Sequence, residues 1–133
     1  MTQTVLILVA RLVFAIVFAM AAAFKFAGME TTAGYIAAAG FPIPMVLAWC
    51  AALLETALVI AFLTGAYFSE AALIAAAYVV FLGFAFHGPS HWEGNQMEFG
   101  AFINHFVFMA GLFFAAVHGP GGKWAMRAGA LWK

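Results

Sequence analysis

TVLILVARLVFAIVFAMAAAFK, residues 4–25, sets the reading of the whole chain. Its 22 residues carry two charges, Arg11 and Lys25. A helix of about 20 mostly apolar residues is long enough to cross a bilayer. Residues 43–64, 71–87 and 99–118 read the same way. In lipid the backbone polar groups must be satisfied within the segment, so each stretch is expected to be helical. Transmembrane strands would read as shorter alternating runs, and none occur. The expected fold is all-α: a polytopic membrane protein, an antiparallel bundle of four transmembrane helices. Residues 1–133 are expected to form one membrane domain, with an interfacial tail over 119–133.

Composition points the same way. Hydrophobic residues make up 68% of the 133 residues and charged residues 8%. Ordinary soluble domains carry about 45–50% and about 25%. So small a soluble protein cannot hide this excess, because much of its surface stays exposed. A soluble enzyme, a disordered chain and a disulfide scaffold are thereby excluded. Five Lys and Arg balance five Asp and Glu, so no basic patch exists for nucleic acid. Cys50 stands alone, which rules out an intramolecular disulfide or a thiol pair, and it is read as an inert core thiol. No glycine-rich nucleotide loop is present.

Breaker-rich stretches separate the spans. Residues 28–42 read as a polar loop ending in the Gly40-Phe-Pro-Ile-Pro44 turn. Ser69 before Glu70 is expected to cap the third helix. Gly119-Pro-Gly-Gly122 ends the fourth. The first span lacks a basic leader and is interrupted by Arg11, so it is expected to be a retained span and not a cleaved signal. Lys123, Arg127 and Lys133 lie on the side of the termini, whereas the other side holds Lys25 with Glu30, Glu93 and Glu98. The positive-inside rule then puts both termini in the cytoplasm. Trp124 and Trp132 among these cations read as an interfacial tail.

Polar residues inside spans are rare and face a bundle or a cavity. Counting about 1.5 Å per residue from the cytoplasmic side places Arg11, Glu55 and Tyr78 at similar depths. They are expected to form one buried polar cluster. It fits a structural ion pair, a proton or quinone-headgroup site, or Arg11 snorkelling past a protonated Glu55. A second polar group gathers on the exterior side: Lys25, His87, His91, Asn104 and His105, with Trp92, Glu93 and Glu98. The spacing of His87 and His91 would suit a metal on a helix, but Gly88-Pro89 opposes a helix there. No metal site is therefore assigned. This group reads either as a polar loop with an interfacial Trp or as a pocket for a small ligand such as a quinone. His105 and His118 share one helix, so a bis-His haem is not expected. Most of the sixteen phenylalanines are expected to face lipid or pack the core.

These residues, in this order, resemble those of a DoxX-type membrane protein. Arg11-Leu-Val-Phe14 with Phe18 and Lys25-Phe26 is similar to that family's first helix. Tyr35-Ile-Ala-Ala-Ala-Gly40-Phe-Pro42 resembles its entry to the second. Glu55 followed by Leu63-Thr-Gly65, then Phe86-His87 with His91-Trp92, Asn104 and Gly111-Leu112, complete the likeness. Two departures stand out: Ile103 replaces a Lys, and Lys123-Trp-Ala-Met-Arg127 replaces a Ser-x-Asp ending. The resemblance implies a multi-pass protein of the bacterial inner membrane. It further implies a subunit of a membrane oxidoreductase system, of the kind that includes thiosulfate:quinone oxidoreductase. Arg11, Lys25, Glu55, His87 and Asn104 are the positions it carries over. Partners are then lipid together with other membrane subunits or further copies of the chain, and quinone is the cofactor left open. The competing functions are a purely structural accessory subunit and a small oligomeric transporter.

Overall fold

The computed structural model describes residues 1–126 and 128–131. The described residues are helical and contain no strand: α1 (Thr2–Ala27), α2 (Met29–Ala38), α3 (Pro44–Thr64), α4 (Phe68–His87), a 3-10 turn (Pro89–His91) and α5 (Gln96–His118). Four stretches, Thr2–Ala27, Pro44–Thr64, Phe68–His91 and Gln96–His118, are long and apolar enough to cross a membrane. This is a four-helix membrane protein, as the composition required. The chain divides into two compact units. One comprises Met1–Ala66 with Pro120–Ala128, and the other Tyr67–Gly119 with Gly129–Lys133.

In the first unit α1 and α3 run antiparallel. α1 buries Arg11, Ala15, Phe18 and Ala22, and α3 buries Ala48, Ala52, Glu55, Leu58 and Phe62. Both sets recur every three or four residues, which is one helix face. Alanines on that face let the backbones come close, as small residues do in membrane helices. The Phe62 ring lies against Phe14 and Phe18, with centroids 5.4 and 5.8 Å away. The opposite face of α1, including Val5, Leu6, Val9, Val13 and Ile16, stays exposed, as lipid contact requires.

α2 was not foreseen. Residues 28–42 hold a ten-residue helix, where polar Glu30, Thr31 and Thr32 suggested a loop. Gly28 ends α1 with φ −145° and starts α2, and the Thr32 hydroxyl donates to Gly28 O. Ala33 and Ile36, three residues apart, are the buried positions of α2, which packs on α1 and α3. Ten residues rise only about 15 Å, so α2 cannot span a bilayer.

Gly65 closes α3 with φ +78°. A Cβ there would lie 2.7 Å from Ala125 Cβ and 3.1 Å from Pro120 Cβ. Both conformation and space demand glycine. Gly65→Ala is therefore expected to destabilise the first unit by roughly 2–4 kcal/mol, from left-handed strain plus overpacking. Thermal unfolding in detergent measures it.

In the second unit α4 and α5 pack antiparallel. Phe84, Phe102 and Phe106 meet edge to face, with centroids 5.0 to 5.9 Å apart. Ser69 is not the cap of α4: the helix begins at Phe68 after Tyr67 in a left-handed conformation, and Ser69 is buried in its first turn. Glu70 in that turn accepts hydrogen bonds from the N–H groups of Ala130 and Leu131. Cys50 lies on the exposed side of α3 and not in the core, because the buried face passes through Ala48 and Ala52. Over its described residues the tail beyond His118 is irregular. Trp124 is exposed there, while Arg127, Trp132 and Lys133 lie outside the described residues.

Candidate functional site

Arg11 and Glu55 are both buried in the first unit, 2% and 1% exposed, but they do not pair with each other. Glu55 Oε1 meets Lys25 Nζ at 2.8 Å. Arg11 binds four backbone carbonyls: Nε to Phe62 O at 3.1 Å, Nη2 to Leu63 O at 2.6 Å, and Nη1 to Pro120 O at 3.3 Å and Trp124 O at 3.0 Å. The reason is register. α3 ends opposite Arg11, and Glu55 lies seven residues, or about 10 Å, further along α3. That distance carries the carboxylate towards Lys25 in the last turn of α1. Tyr78 lies half-buried on α4, in the other unit.

The end of α3 can be accounted for group by group. The last four carbonyls of a helix have no partner inside it. Here Ala61 O accepts from Gly65 N–H, Phe62 O and Leu63 O accept from Arg11, and Thr64 O accepts from Met126 N–H at 2.8 Å. All four are satisfied without water. In lipid this matters, since an orphaned carbonyl there costs several kcal/mol. The guanidinium also places positive charge at the negative end of the α3 dipole. Arg11 thus acts as a side-chain cap and ties residues 120–124 to α3.

In the second unit the structure brings together His87, Trp92, Glu98 and His105. His87 Nδ1 lies 2.7 Å from Glu98 Oε2, and the Trp92 indole N–H donates to His87 O at 2.7 Å. Glu98 sits in the first turn of α5, whose N-cap Asn95 accepts from Glu98 N–H. His105 Nδ1 is 2.7 Å from Ala101 O. A carbonyl only accepts, so His105 carries its proton on Nδ1 and leaves Nε2 as an acceptor. The two imidazole centroids are 5.2 Å apart. Gly83 makes room for this: a Cβ there would come within 3.0 Å of His105 Cβ. Trp92 packs edge-on against Phe99 and Phe102, forming an aromatic wall beside the imidazoles.

The other exterior residues are not part of this group. Lys25 pairs with Glu55 in the first unit. His91 is exposed and bonds to Ser90, because the turn at Pro89–His91 separates it from His87. Asn104 is exposed on α5. No three His, Cys, Asp or Glu among the described residues converge as metal ligands. The His87–Glu98 pair was missed although both residues were singled out. They stand eleven apart across a turn, and only the antiparallel return of α5 joins them.

No curated protein and no solved structure matches the chain. The family model for DoxX matches residues 6–88, which run from the first turns of α1 to the end of α4. That is more than half the chain, and it includes Arg11, Lys25, Glu55, Gly65 and His87. The chain belongs to the DoxX family.

Proposed function

We propose that the chain is a partner-dependent subunit of a quinone-linked oxidoreductase system. It would sit in the bacterial inner membrane with both termini cytoplasmic. The observation that carries this reading is the use made of the charges in the first unit. Arg11 caps a helix and Lys25 neutralises Glu55, so these groups hold helices together. The outward faces of the spans remain apolar, which suits lipid and neighbouring subunits alike. Family membership supports the redox setting.

The test is purification from native membranes in mild detergent, followed by intact-complex mass and a quinone-reduction assay. The expected result is a fixed ratio of this chain to a larger redox-active subunit, with no turnover by the isolated chain. Quinone turnover by the isolated chain, or a chain found only with itself, would overturn the proposal.

A second reading is favoured by the imidazole pair. His87 and His105 lie beside aromatic rings, where a flat quinone ring could stack and where its reduced form could donate a hydroxyl hydrogen bond to His105 Nε2. On that reading Glu98→Gln weakens the orientation of His87 and raises the KM for quinone of the assembly about 10-fold or more, with the subunit ratio unchanged. An unchanged KM would leave the first reading alone.

A further inference from the structure

A recess in the first unit is lined by Thr4, Ile7, Leu8 and Arg11 of α1 and by residues 120–123 of the tail. It is open to the surface, and its cavity volume is about 30 Å³. We propose that it binds a phosphate-bearing anion, either the headgroup of an acidic lipid or free inorganic phosphate.

Charge carries the inference. Arg11 is buried, and its four bonds all go to carbonyl oxygens. No carboxylate among the described residues forms an ion pair with it. Carbonyls solvate a cation without neutralising it, and the end of the α3 dipole supplies only about half a negative charge. A buried charge calls for a counter-charge. Lys123 on the rim adds a second positive charge, so the recess carries a net positive field. Four of the five guanidinium N–H donors are occupied, which leaves one for an outside acceptor. Thr4 adds a hydroxyl. Gly121 and Gly122 bring no side chains to the rim, so an anion can approach their backbone.

An anion with several oxygens suits two cations and a hydroxyl better than a single-point acceptor does. The adjoining face of α1, with Val5, Leu6 and Val9 exposed, is where acyl chains would lie. Basic groups at a membrane surface attract acidic lipids in this way.

The full chain would be studied by native mass spectrometry in detergent, with phosphatidylglycerol, phosphatidylcholine or inorganic phosphate added. Phosphatidylglycerol, or phosphate itself, is expected to be retained, and phosphatidylcholine is not. Lys123→Gln, at an exposed position, is expected to lower the retention roughly fivefold. Millimolar inorganic phosphate that displaces the lipid would identify the free anion as the ligand, whereas failure to displace it would identify the lipid headgroup. Arg11→Met is too deeply placed to serve alone, so the Lys123 variant decides. Equal retention of both lipids without phosphate binding, or retention unchanged in Lys123→Gln, would overturn the proposal.

Discussion

Arg11→Met is expected to destabilise the protein by on the order of 3–6 kcal/mol. The variant removes the donors for Phe62 O and Leu63 O at the end of α3. Each buried acceptor left without a partner costs about 1–3 kcal/mol, and more where no water can replace the donor. The tail loses its anchor as well, since Pro120 O and Trp124 O bind the same guanidinium. Arg11→Lys should recover part of the loss. An ammonium restores the charge near the α3 terminus, but a single point cannot serve four carbonyls spread around a planar fork. Unfolding in detergent is the measurement, with proteolysis of the tail as a local readout. A variant as stable as the parent would mean that the carbonyls find other donors.

Lys25→Met is expected to cost about 3–5 kcal/mol, because it removes the cation from a buried ion pair. Glu55 is 1% exposed and Lys25 Nζ lies 2.8 Å from Oε1, so the carboxylate cannot simply turn to solvent. Glu55→Leu alone should cost less, since the Lys25 side chain, 20% exposed, can swing its ammonium towards the surface. Replacing both by apolar residues should come within about 1–2 kcal/mol of the parent, as well-packed apolar substitutes for buried pairs often do. The difference between the double change and the sum of the single ones measures the pairing. The same cycle between Arg11 and Glu55 should show additivity within about 0.5 kcal/mol. A strong coupling there would reverse the assignment of partners.

Much of the architecture was legible in the sequence because lipid imposes a length and an apolar composition on every span. The ends of α1, α3, α4 and α5 lie within about three residues of those expected on that ground alone. α2 escaped because a short helix resting on others needs only two buried positions, Ala33 and Ile36, and these do not stand out among alanines. The start of α4 was misplaced because Ser69 resembles a cap, whereas burial of Phe68 and Ser69 extends the helix past it. The polar residues stand out in the sequence, but their partners were not legible there. Partner choice depends on where two antiparallel helices end relative to one another. A shift of two turns exchanged Arg11 for Lys25 opposite Glu55. The signal for the α3 cap was present in Leu63-Thr-Gly65, since a glycine ending an apolar helix leaves carbonyls that need donors. The imidazole pair required the return of α5, which no local pattern records.

The most direct test of whether the charges of the first unit hold helices and perform no chemistry is turnover by the intact assembly carrying Lys25→Met with Glu55→Leu. On the proposed function, the double variant would be purified with the proposed partner subunits and assayed for quinone reduction. A structural pair predicts an unchanged subunit ratio and turnover within about twofold of the parent. An intact assembly whose turnover falls a hundredfold or more would contradict it and place Glu55 in the reaction.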